Sequence, residues 1–482
     1  MLFNSFEFVI FFSIVFFIYY KSYDNLKFQN ILLLVSSYIF YGWWDWRFLS
    51  LIFISSISDY IIGKALDENK NKKQRKRLLI LSLVVNLGIL GFFKYYNFFT
   101  ESFTDFMSLF GFEANPFLLN IVLPVGISFY TFQTMSYTID IYRNKMKANK
   151  NLLEFMTFVS FFPQLVAGPI ERASHLLPQF SKKRKFDAYE FKEGIKQSFW
   201  GLFKKIVIAD NCAFYANQIF ENSDSYPGSV LIIGVVLFAF QIYGDFSGYS
   251  DIAIGLSRMM GIDLMQNFKS PYLAENIQDF WRRWHISLST WFRDYLYIPL
   301  GGSQVDSNFR RSLNIIITFT VSGFWHGANW TFIIWGALHA LFYFIQTYYS
   351  KHLKSVKILP ANIVKIFNIA ITFIAVTFAW IFFRAESFSH AINYISEIGS
   401  STILINPISH FKSMGAAVQP FVIIISLIYL SVFEISNRNA SYSFQVGNYK
   451  APARTLIYCS LLLLIIFFRA TNGSVDFIYF QF

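Results

Sequence analysis

Two short stretches, each with one histidine inside apolar sequence, decide how this chain is interpreted. Residues 278–295 read QDFWRRWHISLSTWFRDY and residues 324–329 read FWHGAN, which places the histidines at His285 and His326. An imidazole at membrane depth costs free energy and usually has a function there. The two stretches therefore mark a candidate functional site inside a membrane protein.

The composition of the whole chain indicates a helical membrane protein. Of its 482 residues, 55% are hydrophobic and 15% are charged, whereas about 25% of a soluble domain is charged. No long alternating pattern suggests a barrel, so the apolar runs are interpreted as helices. The net charge of +12 fits the basic cytoplasmic loops of membrane proteins rather than nucleic-acid binding. The two cysteines have no disulfide or metal-ligand spacing, so we expect no metal site.

Apolar runs of about 17–25 residues predict where the chain crosses the membrane. The candidates lie near 3–20, 29–45, 47–64, 78–98, 119–141, 197–219, 228–244, 246–261, 312–322, 328–349, 363–384, 417–435 and 453–470. Because several of these runs are short or polar, we expect an all-α polytopic membrane protein with about eleven transmembrane helices. The prediction is one domain over residues 1–482, with a signature core at about 152–349.

The basic loops predict a re-entrant element. The loop at 143–147 and the run at 182–185 are both rich in lysine and arginine, so both are expected on the cytoplasmic side. Only one apolar run, 152–168, separates them, and a single span would put them on opposite sides. This run contains prolines and a glycine that break a helix. We therefore expect a re-entrant element at Phe161–Arg172. The stretch 262–311 has few apolar runs and many Trp, Arg and Asp residues, so a second re-entrant element is expected near 280–300.

His326 is the first candidate for catalysis. It lies between Gly323 and Gly327, and glycines allow backbone or a ligand to approach closely. Desolvation favours a neutral imidazole, which can take the proton of a hydroxyl as that hydroxyl attacks a thioester. Such proton transfer contributes about 10²–10⁴-fold to a rate. The alternative is a hydrogen-bonded histidine that joins two helices.

His285 lies among tryptophans and arginines. On one helix Trp281, His285 and Ser289 would share a face, because residues four apart are neighbours. The guanidinium groups of Arg282 and Arg283 could hold phosphate or carboxylate groups of a donor. The alternative is an interfacial helix with an aromatic belt and snorkelling arginines.

A third histidine in apolar sequence, His339, is interpreted as structural. It lies 13 residues after His326. On one continuous helix that separation is about 20 Å of rise. The two histidines are therefore not expected to share a site.

Two carboxylates also lie in apolar sequence, Asp245 and Asp251, with Ser247 between them. Acidic side chains in such surroundings usually pair with a cation or line a pathway. We expect structural pairing. The candidate partners are Arg282, Arg283 and Arg293.

Four segments, in this order, resemble the signature of the membrane-bound O-acyltransferase family. They are FFPQLVAGPI at 161–170, DFSGYSD at 245–251, residues 281–303 with WRRWH and YIPLGGS, and GFWHGA at 323–328. The resemblance is closest to the bacterial branch that acetylates polysaccharides, the alginate O-acetylation and peptidoglycan O-acetyltransferase membrane proteins. That family has an invariant histidine where His326 stands and a second polar residue where His285 stands. Both line a central tunnel through a helical fold.

The resemblance implies a function and a location. The chain would take an acyl group, expected to be acetyl, from a cytoplasmic thioester donor such as acetyl-CoA. It would pass this group across the bacterial cytoplasmic (inner) membrane to a periplasmic or extracellular acyltransferase partner that esterifies a polysaccharide. The donor is a substrate, and no permanently bound cofactor is expected.

The resemblance and the residue chemistry together give the predicted site. The predicted catalytic residues are His326 and His285. The predicted substrate-binding residues are Trp281, Arg282, Arg283, Ser289, Trp325 and Asn329.

Three alternatives stay open at this point. A related branch transfers D-alanine to teichoic acids, although its members are usually shorter. A transporter would also bury polar residues, but the inverted repeats that transporters often show are not visible here. A scaffold without its own catalysis would tolerate substitution of His326.

Overall fold

The computed structural model describes residues 1–112, 115–352, 360–415, 420–440, 442, 444–469 and 477–478. Within these ranges the chain is helical and contains no β-strand. The predicted all-α polytopic membrane fold is confirmed.

The α-helices follow one another along the whole chain. They are α1 (Phe6–Lys21), α2 (Leu26–Asp45), α3 (Leu49–Glu68), α4 (Lys72–Leu90), α5 (Tyr96–Ser108), α6 (Ile127–Tyr142), α7 (Leu152–Ser160), α8 (Phe162–Leu165), α9 (Ala173–Leu176), α10 (Ala188–Leu202), α11 (Asp210–Glu221), α12 (Gly228–Met259), α13 (Ile277–Trp281), α14 (Ile286–Phe292), α15 (Asn308–His326), α16 (Trp330–His352), α17 (Ala361–Arg384), α18 (Phe388–Ile398), α19 (Ile408–Ser413), α20 (Pro420–Ser436) and α21 (Ala451–Phe467). Segments of π-helix lie at Gly91–Tyr95, Phe203–Ala209 and Arg293–Tyr297.

Several of these helices are suited to cross a membrane. In the described part of the chain, the segments that are long and apolar enough are Leu26–Glu68, Lys72–Ser108, Gly228–Met259 and Ala361–Arg384. The helices α20 and α21 are shorter and also apolar. The total of about eleven spans stays a prediction.

One pair of expected spans is a single element. The runs 228–244 and 246–261 were expected as two spans, but α12 runs without a break from Gly228 to Met259. Gly244 lies within this helix, and the backbone of Lys204 packs against it: a Cβ there would lie 2.8 Å from the Lys204 carbonyl oxygen. The expectation of two spans is therefore wrong.

The structure divides into two compact units. The first consists of Met1–Ile195 with Ala253–Met265, and the second of Lys196–Ile252 with Gln266–Phe482. The single domain over residues 1–482 stays a prediction.

In the first unit the helix is broken where a re-entrant element was expected. α7 ends at Ser160, the short α8 follows, and α9 begins only at Ala173. The intervening residues are buried. A Cβ on Gly168 would lie 2.5 Å from the Cα of Gln164, so this turn requires glycine. The interruption at Phe161–Arg172 is present, and its depth in the membrane stays a prediction.

In the second unit α15 and α16 pack at backbone distance. A Cβ on Gly323 would lie 2.2 Å from the carbonyl oxygen of Phe332, and one on Gly336 would lie 2.3 Å from that of Phe319. The close backbone approach expected at Gly323 is therefore present. It fixes the end of α15, where His326 stands.

Candidate active site

His285 occupies a turn between two short helices. α13 ends at Trp281 and α14 begins at Ile286, with His285 at φ 43° and ψ 55° in the left-handed region. This conformation is uncommon for residues other than glycine. Because the turn separates the two helices, Trp281, His285 and Ser289 do not share one helical face, and that expectation is wrong.

Asn267 holds this turn from an earlier part of the chain. Its Oδ1 lies 3.0 Å from Nδ1 of His285, and its backbone carbonyl accepts a hydrogen bond from the N–H of Ile286 at 2.9 Å. The hydroxyl of Ser287 donates to the same Oδ1 at 2.9 Å. Sequence reasoning missed Asn267, because no pattern in the sequence links it to a histidine 18 residues later.

His326 ends α15 inside a cluster of aromatic rings. Its ring centroid lies 5.0 Å from that of Trp325, 5.1 Å from that of Trp335 and 5.3 Å from that of Phe383. The next residue, Gly327, is extended, and a Cβ there would lie 2.1 Å from the ring of Phe332. A larger residue at this position would push that ring out of its place in the cluster.

The two predicted catalytic histidines lie next to each other. Their ring centroids are 6.4 Å apart and their planes meet at 63°. His285 is 0% exposed and His326 is 3% exposed, so neither ring faces lipid. The separation is too long for a direct hydrogen bond between the rings. A proton passed between them would therefore need a bridging hydroxyl or water.

Aromatic side chains enclose His285 as well. The ring of Phe246, on α12, meets the imidazole edge-on with a centroid distance of 4.6 Å. The ring centroid of Trp325 lies 6.1 Å from that of His285. Trp325 is thus the predicted substrate-binding residue that lies beside both histidines.

Three further predicted substrate-binding residues make contacts within the fold. The indole N–H of Trp281 donates to Nδ1 of His339 at 3.3 Å. The guanidinium of Arg283 donates from Nε to Oδ1 of Asp279 at 2.9 Å. The hydroxyl of Ser289 donates to the Trp284 carbonyl at 3.2 Å. Their role in substrate binding stays a prediction.

Of the last two predicted substrate-binding residues, Arg282 lies at the surface and Asn329 lies at the start of a helix. The side chain of Arg282 is exposed. Oδ1 of Asn329 accepts the N–H of Thr331 at 3.0 Å and so caps α16, while its Nδ2 donates to the carbonyl of Glu386 at 2.9 Å. Substrate contact by either residue stays a prediction.

His339 is closer to His326 than the sequence argument allowed. α15 ends at His326 and α16 begins at Trp330, so the two histidines are not on one continuous helix. The ring centroid of Trp335 lies 5.1 Å from that of His326 and 4.8 Å from that of His339. The expected separation of about 20 Å is therefore wrong, because the chain changes direction between the two helices. Both histidines belong to one aromatic cluster.

The buried carboxylates of α12 are paired, as expected, but with other partners. Lys205 Nζ lies 2.8 Å from Oδ1 of Asp245 and 2.8 Å from Oδ1 of Asp210. Lys204 Nζ lies 2.5 Å from Oδ2 of Asp251. Both lysines belong to the π-helical segment Phe203–Ala209, which sequence reasoning did not predict. The expected pairing with Arg282, Arg283 or Arg293 is wrong.

Comparisons with known proteins identify the family to which this chain belongs. The profile of the membrane-bound O-acyltransferase family matches residues 39–386. A probable alginate O-acetylase of Pseudomonas putida is 43% identical over 390 positions, 80% of this chain and 78% of that protein. A peptidoglycan O-acetyltransferase of Helicobacter pylori is 34% identical over 496 positions, 95% of this chain and 92% of that protein.

A third relative represents a different acyl group. A teichoic acid D-alanyltransferase of Bacillus subtilis is 30% identical over 282 positions, 56% of this chain and 71% of that protein. The family match covers more than half of the chain and includes both histidines. This chain therefore belongs to the membrane-bound O-acyltransferase family, and it is a multi-pass membrane O-acyltransferase.

Proposed function

We propose that the chain takes an acetyl group from a cytoplasmic thioester donor, acetyl-CoA or another acyl thioester, for O-acetylation of a polysaccharide outside the cytoplasmic membrane. The observation that carries the proposal is the pair of buried imidazoles, His285 and His326, with ring centroids 6.4 Å apart. Two relatives that cover most of this chain are named as O-acetylating enzymes of alginate and peptidoglycan. Their names support acetyl as the group and a glycan as the acceptor.

His326 is the proposed general base. Its neutral imidazole removes the proton of the acceptor hydroxyl while that oxygen attacks the thioester carbonyl. The new C–O bond forms as the C–S bond breaks. The proton then passes from the imidazolium to the thiolate, which leaves as a thiol. The acceptor is the polysaccharide itself or a group on the partner that later acylates it.

His285 is proposed to orient the acceptor or the donor. Its ring is adjacent to His326 and is wholly buried. Because its Nδ1 is engaged with Asn267, we propose Nε2 as the nitrogen that meets a substrate group. Trp325 packs against both rings and is proposed to shape the space between them.

The donor is proposed to arrive from the cytoplasm and the acceptor from outside. Lys145 and Lys183 lie in the basic loops and are exposed, and such charges attract the phosphates of a donor. A tunnel open at both ends, which is a prediction, would let the acyl group cross while the donor stays inside. A periplasmic or extracellular acyltransferase partner would then complete the esterification.

D-Alanyl transfer to teichoic acid is the second candidate function. The Bacillus subtilis relative favours it, although it aligns with only 56% of this chain. The Helicobacter pylori relative aligns with 95% at higher identity. We therefore place acetyl transfer first.

Labelling with two donors tests the proposal. Washed membranes that contain the chain are incubated with radiolabelled acetyl-CoA, and parallel membranes with a radiolabelled D-alanyl thioester. The proposal expects acetyl label in the cell-surface polysaccharide, dependent on the chain. Label from the D-alanyl donor alone would favour the second candidate. Absence of both labels, with protein present in the membrane, would contradict acyl transfer from a thioester.

A further inference from the structure

We infer that Asn267 is a positioning residue that fixes which nitrogen of His285 carries the proton. The inference rests on the proposed function, in which His285 contacts a substrate. Asn267 and His285 are both wholly buried, and their side chains meet at 3.0 Å. The identity of the hydrogen-bonding atoms decides what this contact does.

The amide of Asn267 is held in one orientation. The backbone N–H of Ser287 points at Oδ1 with a distance of 3.4 Å, and the hydroxyl of Ser287 donates to the same atom at 2.9 Å. A backbone N–H can only donate, so the atom that it faces is the amide oxygen. On the other side, Nδ2 donates to Oγ of Ser250 at 3.2 Å.

This orientation selects one form of the imidazole. An amide oxygen can only accept, so Nδ1 of His285 must carry the hydrogen in the 3.0 Å contact. In a neutral ring the other nitrogen, Nε2, then holds the lone pair. The structure thus assigns Nε2 as the atom with which His285 accepts a hydrogen bond from a substrate hydroxyl.

The same residue holds the backbone that carries the ring. The carbonyl of Asn267 accepts the N–H of Ile286 at 2.9 Å, and two residues further on the N–H of Lys269 donates to the carbonyl of Arg283 at 2.9 Å. These bonds flank His285, whose φ is 43°. Unusual backbone of this kind persists where the surroundings determine it fully and often lies at functional sites.

Charged side chains of α12 and of the turn at His285 form ion pairs within the part of the chain that the structure describes. On α12, Asp245 pairs with Lys205 and Asp251 pairs with Lys204. The imidazole of His326, on α15, is a further titratable group beside the ring. On its own turn, Arg283 pairs with Asp279. A carboxylate introduced at position 267 would therefore add a new charge in direct contact with Nδ1 of His285.

Two substitutions separate a tautomer-fixing role from a merely structural one. Asn267→Leu removes the acceptor, and we expect acylation to fall by roughly 10–100-fold, by analogy with the hydrogen-bond partners of metal-ligating histidines. Asn267→Asp keeps an acceptor at Nδ1 but favours the protonated ring. Its activity should persist at high pH, while the acid limb of the pH profile moves up by about one pH unit.

The assay uses washed membranes with the full chain and radiolabelled acetyl-CoA, and counts label in the polysaccharide per inserted protein from pH 5.5 to 9. Thr290→Ala is the matched control, because it removes a hydroxyl of the same helix α14, which donates to the carbonyl of Ile286, and leaves the Asn267–His285 contact in place. It should keep most of the activity and the wild-type pH profile. If Asn267→Leu does not insert into the membrane, the pH profile of Asn267→Asp alone tests the inference.

Two results would overturn the inference: an unmoved acid limb in Asn267→Asp, or full activity in Asn267→Leu. A His285→Ala variant in the same assay distinguishes a failure of the role proposed for His285 from a failure of the role inferred for Asn267. Full activity of His285→Ala would remove the proposed role of His285 itself. Loss of activity in His285→Ala, with both Asn267 variants unchanged, would remove only the role of Asn267.

Discussion

The imidazole of His326 lies in a nearly dry, aromatic environment. Only 3% of the residue is exposed, and the rings of Trp325, Trp335 and Phe383 pack against it at steep angles. Such edge-to-face packing is favourable for aromatic rings. A charged group is costly in these surroundings unless it is paired, so the proposed base would enter the reaction uncharged. Hydrogen bonds formed to a substrate here are stronger than in water.

A different histidine, His175 in the first unit, gives a pH-dependent prediction. Hydrogen bonds to Asp263 and to Glu171 raise the pKa of His175 from 6.5 to about 10. A raised pKa stabilises the fold fully below the unfolded pKa, and this contribution disappears as pH rises through the folded pKa. The stabilisation by His175 should therefore be largest near pH 6.5 and absent above about 10.

The measurement compares melting temperatures of detergent-solubilised wild type and His175→Gln across this range. The wild type should melt at the higher temperature near pH 6.5, and the difference should shrink steadily as the pH approaches 10. A difference that does not change with pH would show that His175 acts by packing alone.

The residues of the site differ in how far sequence could predict them. His285 and His326 stand out because imidazoles are rare in apolar sequence, and the structure brings their rings together. Asn267 could not be predicted, because its importance depends on the left-handed backbone of His285, which no propensity indicates. For the same reason a helical face with Trp281 and Ser289 was expected and is absent.

At the scale of elements, the pair α15 and α16 positions His326. A Cβ on Gly323 would lie 2.2 Å from a carbonyl oxygen of α16, so Gly323→Ala forces the helices apart at a point one turn before His326. We expect a loss of about 1–3 kcal/mol of stability and a larger loss of acylation. Thermal unfolding and label incorporation by the same preparation would measure both.

Gly88 provides the matched control. It is also helical, in α4, and nothing lies within 4 Å of the position that its Cβ would take. Gly88→Ala should be neutral or stabilise by up to about 1 kcal/mol, because alanine favours the helix. If Gly323→Ala and Gly88→Ala had the same stability and the same acylation, the close approach of α15 and α16 would not be needed for either.

The apolar runs predicted the long apolar helices, and the prolines and glycine within 161–172 predicted the interruption there, but the runs did not predict that α12 continues unbroken. α17, for example, covers the expected run 363–384 closely. α12 continues through Gly244, with the backbone of Lys204 packed beside this glycine. The π-helical segment Phe203–Ala209 carries the two lysines that pair with Asp251 and Asp245 of α12, and hydrophobicity alone does not predict such pairs.

At the scale of the whole molecule, the helical class follows from composition, whereas the topology in the membrane is still a prediction. Positions 72 and 183 are exposed lysines that the loop charges place on the cytoplasmic side. Lys72→Cys and Lys183→Cys, in a background without the exposed Cys459, should react with an impermeant maleimide from the same, cytoplasmic, face. Reaction from opposite faces would contradict the re-entrant assignment of Phe161–Arg172.

The central claim is that His326 supplies the base for acyl transfer. Its most direct test is acylation of the surface polysaccharide, normalised to membrane-inserted protein, by wild type, His326→Ala and His326→Gln. His339→Gln is the control, since it changes a buried histidine of the same aromatic cluster but keeps an acceptor for the indole of Trp281. We expect near-normal insertion of all variants, a loss of roughly 10²-fold or more in both His326 variants, and most of the activity in His339→Gln. Near-normal acylation by a well-inserted His326→Ala would contradict the claim and favour a scaffold without its own catalysis.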